Sequence, residues 1–239
     1  MITGETLVYG VIGNPVAHSL GPVMHNQAFS GTGYPGVYVP FQVQNIAAAI
    51  DGIRALNIRG ISVTIPHKTS IMPYLDRIDE AASEIGAVNT VLNDKGRLIG
   101  YNTDAYGAVL ALSEKTSIRD KDVVIIGAGG AARAIGYGIL KEGGRLHIVS
   151  RSVGKGEALA RLLGAFFYPM EQFEQAPCDI LINTTPVGMH PHDDDMPIPQ
   201  ALLNSRMVVM DIIYNPVKTR LLEAAEAIGS QVISGVPMF

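Results

Sequence analysis

The chain has 239 residues, with 18 Lys+Arg against 22 Asp+Glu and hence a formal net charge of −4. Hydrophobic residues make up 47% and charged ones 17%, which excludes a disordered or acidic-tail protein and leaves room for one large or two modest domains. No basic block suits a nucleic-acid surface, the single cysteine excludes an internal disulfide, and no apolar run approaches about 20 residues, so a soluble cytoplasmic protein without a membrane segment is expected.

In chain order, LVYGVIG (7–13), GVYVPF (36–41) and ISVTIP (61–66) read as strands. NIAAAIDGIRALN (45–57) reads as a helix with Asn45 as its N-cap. VNTVLN and RLIGYN flank Asn93-Asp94-Lys95-Gly96, a hairpin signal. TDAYGAVLALSEK (103–115) reads as a connecting helix capped by Thr103 or Asp104. A second series then begins with DVVIIG (122–127), GGAARAIGYGILKEG, RLHIVS (145–150) and a helix near 155–163. It continues with DILINTT (179–185), RMVVMDII (206–213) and the helical PVKTRLLEAAEAIG (216–229). Strands alternating with helices predict parallel sheets, and two such series predict two α/β domains with a cleft between them.

The most specific local signal is Gly127-Ala128-Gly129-Gly130-Ala131-Ala132, a GxGxxA turn that follows a buried strand and opens a helix. Gly127 allows the tight turn, Gly129 allows the backbone to approach a pyrophosphate, and small Ala132 permits close packing of helix on strand. An NAD enzyme carries an acid for the ribose 2′-hydroxyl at the end of the next strand. This chain has Ser150-Arg151-Ser152 there, with Lys155 close by. A guanidinium and two hydroxyls suit a 2′-phosphate, so NADP is expected over NAD.

In the first half, polar residues collect at predicted strand ends: His18-Ser19, Ser62-Val63-Thr64 with His67-Lys68, Asn89-Thr90, and Asn102-Thr103-Asp104. Ligands of α/β proteins bind at such ends. Hydroxyls and amides grip a polyol, while a Lys and an Asp supply proton transfer.

GNPVAHSLGPVMHN (13–26), SVTIPHK (62–68), GAVNT (86–90), YNTDAYG (101–107), GAGGAARA (127–134), NTTPVGM (183–189) and DIIYNPVKTRLL (211–222) occur in this order. In these motifs the chain resembles the shikimate dehydrogenase family, from about residue 8 to its last residue. The resemblance implies an α/β substrate domain over 1–102, a Rossmann NADP domain over 103–235, and a segment at 236–239 that starts back toward the first domain. It implies NADP-linked interconversion of 3-dehydroshikimate and shikimate in aromatic amino-acid biosynthesis. Lys68 and Asp104 map to the catalytic pair, Thr64 and Asn89 to hydroxyl contacts, Ser19 to the substrate carboxylate, and Tyr214 to a further substrate contact. On the cofactor side, the resemblance adds Thr184, Gly188-Met189, Ile212 and Gly235, and more weakly Glu80.

Three departures stand out. The family's carboxylate anchor is S-x-S-P, whereas this chain has Ser19-Leu20-Gly21-Pro22. One hydrogen bond to a charged group is worth about 1.5–3 kcal/mol, so either a water or another donor replaces it or the preferred substrate differs. Ser62 also stands where the family commonly has Asn. The segment matching GVPMF opens a closing helix in the family, and its absence here is expected to leave an apolar face, covered by a partner subunit in a homodimer or by residues beyond the chain. Alternatives are a quinate/shikimate enzyme with NAD or mixed cofactor use, and a non-catalytic NADP-binding homologue. His190-Pro191-His192-Asp193-Asp194-Asp195 has metal-ligand residue types but reads as a solvated loop, so no metal is expected. His67 reads as a satisfied strand-end histidine and Cys178 as a small apolar residue opening a buried strand.

Overall fold

The computed structural model describes residues 2–17 and 19–238, which leaves His18 outside the described residues. The chain divides into two compact units, Met1–Thr103 and Asp104–Phe239.

The first unit comprises β1 (Leu7–Gly13), α1 (Gly21–Thr32), β2 (Gly36–Gln42), α2 (Ile46–Ala55), β3 (Gly60–Val63), β4 (Arg77–Ile78), α3 (Glu80–Ile85), β5 (Thr90–Asp94) and β6 (Arg97–Tyr101). The sheet order is β2-β1-β3-β5-β6-β4. The β1 strand runs parallel to both β2 and β3, but β5 runs antiparallel to β3 and β6, so the sheet is mixed rather than parallel throughout. The cause is local. Lys95 (φ 53°) and Gly96 (φ 92°) form a two-residue turn with both φ positive, which returns β6 onto β5 without a crossover. Buried Asn93 locks that turn by accepting the Gly96 N–H at 2.7 Å and donating to the Ile58 carbonyl at 2.9 Å.

Asn45 caps α2, its side chain accepting the Ala48 N–H at 3.1 Å. The β3 strand stops at Val63, three residues short of the run 61–66, and Ile65 is exposed beyond it. That early stop frees Thr64 and the segment after it to form the site described below. Ile12, Ile61, Val63, Val91 and Leu98 pack with Ile50 and Ile53 of α2 on one face of the sheet. Val11 and Tyr38 pack with Val16 and Phe29 elsewhere. The sequence periodicity gives little sign of α1, because its apolar Val23 and Met24 are exposed and only Gly21 is buried.

The second unit comprises α4 (Asp104–Ser113), β7 (Asp122–Ile126), α5 (Gly130–Lys141), β8 (Arg145–Ser150), α6 (Val153–Leu163), β9 (Phe166–Pro169), β10 (Ile180–Asn183), β11 (Val208–Asp211), α7 (Arg220–Ala227) and β12 (Gln231–Ile233). All six strands are parallel, in the order β12-β11-β10-β7-β8-β9. Alternation along β7 serves two cores. Val123 and Ile125 join Ala108, Leu112, Ile135 and Ile139 of the flanking helices, while Val124 and Ile126 join Phe173, Leu221 and Leu222. A parallel sheet covered on both faces accounts for the nearly unbroken apolar runs of its strands. The short edge strands β9 and β12 have too few residues to announce themselves in the sequence.

The chain moves outward from β7 through β8 to β9 and then returns to place β10 on the other side of β7. This reversal opens a crevice at the carboxyl ends of β7 and β10, where doubly wound sheets bind ligands. Among the described residues, no helix is long and apolar enough to cross a membrane.

Candidate active site

In the first unit, backbone hydrogen bonds gather three strand ends. Val63 N–H bonds the Asn89 carbonyl at 2.6 Å, Val88 N–H the Lys68 carbonyl at 2.8 Å, and Asn89 N–H the Tyr101 carbonyl at 3.0 Å. Thr64, Lys68, Asn89 and Asn102-Thr103 are therefore neighbours, although up to 39 positions separate them. Asn89 binds across the chain rather than to its own turn. Its Nδ2 donates to Thr103 Oγ1 at 2.8 Å, and its Oδ1 accepts Thr103 N–H at 3.0 Å and Thr90 O–H at 2.9 Å. Asn102 Nδ2 donates to the Ala87 carbonyl at 2.9 Å. These bonds fix the backbone immediately before Asp104, a half-buried residue that opens α4 in the second unit. Lys68 is likewise half-buried. His67 is buried and bonds the Val43 carbonyl through Nε2 at 2.8 Å. It is a satisfied histidine that holds the segment leading to Lys68.

The departure at Gly21 has a physical explanation. Ser19 Oγ accepts the Gly21 N–H at 3.2 Å, at the start of α1. A Cβ on residue 21 would stand 3.2 Å from Ser19 Oγ, 3.2 Å from Tyr38 Cε1 and 3.4 Å from the Tyr38 hydroxyl. The volume that a serine side chain needs here is thus bordered by a phenol. In the sequence GVYVPF, Tyr38 looks like any aromatic on a buried strand face.

In the second unit, Gly127 has φ +120°, and a Cβ there would collide with Thr184 Oγ1. Thr184 ties the turn to β7 by donating both its N–H (3.0 Å) and its hydroxyl (2.7 Å) to the Ile126 carbonyl. Gly129 is the N-cap of α5 and offers no side chain to the first-turn N–H groups of Gly130, Ala131 and Ala132. A Cβ at Gly129 would meet nothing within 4 Å, so open space lies over those donors. Ala128 and Ala132 pack into the core beneath. An uncapped twelve-residue helix with room above its N-terminus is suited to a pyrophosphate.

At the end of β8, Ser150 is buried and accepts the Ser152 N–H at 3.2 Å, which shapes the turn. Arg151, Ser152 and Lys155 are exposed. Neither basic side chain makes an ion pair among the described residues. Ser152 is also the N-cap of α6 and makes no side-chain cap. Two cations and an uncapped helix start therefore converge on one turn.

Apart from Glu80, the remaining positions lie after β10, β11 and β12. Gly235 touches the backbone of Ile212 and Ile213 so closely that a Cβ would overlap the Ile212 carbonyl, and its N–H bonds the Ile213 carbonyl at 3.2 Å. Ile212, Tyr214 and Met189 are half-buried, Gly188 is buried, and Glu80 is exposed at the start of α3 in the first unit. Asp211 is buried at the end of β11, where an acid closes the apolar run RMVVMD. It accepts hydrogen bonds from Asn183, Ile213 and Thr219, and burial lifts its pKa from 3.8 to about 6.

The 190–195 segment is a surface loop in which His190 faces Asp193 at 3.4 Å and Arg220 faces Asp194 at 3.4 Å. No cluster of three His, Cys, Asp or Glu able to hold a metal occurs among the described residues. Cys178 precedes β10 by two residues rather than opening it, and burial against the core pushes its thiol up to about 12. At the same end of the sheet as Cys178, away from the crevice, Arg145 holds the Asp122 carboxyl down at about 2 through paired bonds of 2.9 and 2.6 Å.

A family described as the shikimate dehydrogenase substrate binding domain matches residues 11–91. The shikimate dehydrogenase (NADP(+)) of Methanothermobacter thermautotrophicus is 45% identical over 250 residues, covering 100% of this chain and 88% of that protein. The chain belongs to the shikimate dehydrogenase family. The crystal structure of a shikimate dehydrogenase in complex with NADP+ matches it with a TM-score of 0.93 at 44% identity, covering 100% of this chain and 87% of that one. Shikimate 5-dehydrogenase from Listeria monocytogenes, in complex with shikimate and NAD, matches with a TM-score of 0.87 at 38% identity, covering 99% of this chain and 89% of that one. In this family member, then, the glycine turn, the basic turn after β8 and the strand-end cluster around Asn89 stand on one chain.

The Asp211 shift has a signed consequence for stability. The folded chain holds this proton more tightly than the unfolded chain, so the group opposes folding above about pH 6, and that cost vanishes as pH falls toward 4. Urea unfolding of Asp211→Asn and wild type should diverge in favour of the variant by about 2 kcal/mol between pH 4 and pH 6.5. Parallel stability curves would refute the burial-driven shift.

Proposed function

We propose that the chain catalyses the NADP-linked interconversion of 3-dehydroshikimate and shikimate. The observation that carries this reading is the 45% identity to a shikimate dehydrogenase (NADP(+)) over the whole chain, together with Lys68, Asn89 and Asp104 in their motifs. NADPH, when bound, supplies the hydride that reduces the ketone carbon. The resulting alkoxide needs a proton, and the Lys68 ammonium donates it. The Asp104 carboxylate binds the adjacent hydroxyl. Thr64 and Asn89 hold ring hydroxyls, and the anchoring of Asn89 to Thr103 makes that contact rigid before substrate arrives. Tyr214 contributes a further substrate contact.

The uncapped N-terminus of α5 at Gly129-Gly130-Ala131, beneath Gly127 and Ala128, holds the pyrophosphate. Arg151, Ser152 and Lys155, on the turn that buried Ser150 shapes, hold the 2′-phosphate, the guanidinium accounting for NADP over NAD. Thr184, Ile212 and Gly235 line the path toward the nicotinamide. Ser19 binds the substrate carboxylate, and the Tyr38 hydroxyl, which borders the volume a serine at position 21 would fill, supplies the second donor. The single cysteine and mildly acidic charge suit a reducing cytoplasm.

The reading is tested by absorbance at 340 nm with shikimate or quinate, each with NADP+ or NAD+. Shikimate with NADP+ is expected to give the highest kcat/KM. Preferred turnover of quinate, or of NAD+, would replace the substrate or cofactor assignment, and no turnover at all would overturn the reading. Lys68→Ala should lower kcat by about a hundredfold or more with the fold intact, and comparable turnover would remove its role as proton donor. Arg151→Ala should raise the KM for NADP+ by about ten- to a hundredfold and leave NAD+ kinetics nearly unchanged. Tyr38→Phe should raise the KM for shikimate by about tenfold, while an unchanged KM would return the carboxylate to Ser19 alone.

A further inference from the structure

The Asp211 carboxylate is fully buried at the end of β11. Its Oδ1 accepts Asn183 Nδ2 at 3.1 Å and Ile213 N–H at 3.1 Å, and its Oδ2 accepts the Thr219 hydroxyl at 2.8 Å. All three donors are neutral. A buried charge without a counter-ion is a poor stabilising device, and an apolar side chain of the same volume would serve the core at least as well. The arrangement of its partners indicates what the carboxylate does instead.

Each donor belongs to a different segment. Asn183 heads the 184–189 loop, which it shapes by accepting Thr185 N–H at 3.0 Å and Thr185 O–H at 2.7 Å and by donating to the Val187 carbonyl at 3.2 Å. Ile213 lies in the 212–216 loop, between Ile212 and Tyr214. Thr219 caps α7, accepting Leu222 N–H at 3.4 Å. The two loops meet again where His190 N–H bonds the Asn215 carbonyl at 3.1 Å. We propose that Asp211 is a positioning residue, whose ionised carboxylate fastens the 184–189 and 212–216 loops together and so sets the spacing of Thr184, Ile212 and Tyr214 for turnover. This inference rests on the function proposed above.

Because every partner donates, only the carboxylate matches its surroundings. A proton on Asp211 would face a donor and force the Thr219 hydroxyl to turn. Burial lifts the pKa to about 6, which brings this change into an accessible range. Among the described residues, no other charged group is directed at it. The β10 and β12 strands carry none; His190, His192, Asp193, Asp194 and Asp195 of the neighbouring loop are exposed. Lys218 pairs with Glu226, and Arg220 pairs with Glu223 and Asp194, all at the surface.

The test uses the full chain as wild type, Asp211→Asn, Thr219→Val and the control Ile148→Val, a buried β8 position away from both loops. For each, kcat and KM for shikimate with NADP+ are measured from pH 5 to 8, folding is checked by circular dichroism and melting, and NADP+ affinity is measured by titration. Wild-type kcat should fall severalfold as pH drops through about 6. Asp211→Asn, a fixed mimic of the protonated form, should stay at the low value across the range. Thr219→Val removes one bond to the carboxylate and should move the midpoint to higher pH. The control should keep the wild-type profile whatever its melting temperature.

A wild-type kcat and profile in Asp211→Asn would overturn the proposal, as would an equal kcat loss in the control. If Asp211→Asn does not fold, the direction of the Thr219→Val midpoint decides. Wild type without shikimate turnover would defeat the proposed function on its own. The NADP+ titration then carries the test, with about tenfold weaker binding to Asp211→Asn expected and equal binding overturning the inference.

Discussion

The Ile126 carbonyl, at the last residue of β7, is bonded twice by Thr184, once through the backbone and once through the hydroxyl. That pair of bonds closes the gap between β7 and β10 where the strand order reverses. It leaves no space for a side chain at Gly127, whose φ of +120° lets the chain turn immediately into α5. The uncapped N-terminus of α5 thereby faces open space at the crevice. A purely packed contact between the strands would not have set the turn with this accuracy, because the hydrogen bonds specify direction as well as distance.

The first unit reaches a comparable result by other means. Its antiparallel hairpin cannot place a helix N-terminus at a strand end, so polar side chains carry the organisation. Asn89 engages Thr103 through both its amide atoms, and Asn102 ties back to Ala87. Buried backbone and side-chain groups all need partners, and here the same bonds that satisfy them also arrange Thr64, Lys68 and Asn89 as neighbours. The accommodation at Gly21 follows the same economy: the space is shared between a small residue at position 21 and the ring of Tyr38, and enlarging one must crowd the other.

Much of this was legible in the chain. The β1 and β8 strands, the cap at Asn45 and the glycine turn rest on periodicity and on residue types with narrow conformational roles. Less legible was anything that depends on what a residue meets far along the sequence. The helix α1 has no apolar stripe, and β9 and β12 are too short for a period to register. Asp211 was passed over because its meaning lies in Asn183 and Thr219, 28 positions before it and 8 after. Tyr38 was passed over because a strand-face aromatic has no polar signature until residue 21 is seen beside it.

By itself, then, the sequence determined the two α/β series, the glycine turn, the absence of an acid after β8 and the family to which the chain belongs. Each of these follows from local stereochemistry or from ordered motifs, which need no knowledge of distant contacts. Only the tertiary structure decided that the first sheet is mixed, that Tyr38 borders the Gly21 gap, and that a buried carboxylate joins the loops after β10 and β11. Burial and long-range hydrogen bonding belong to the folded chain as a whole, and no stretch of sequence read alone contains them.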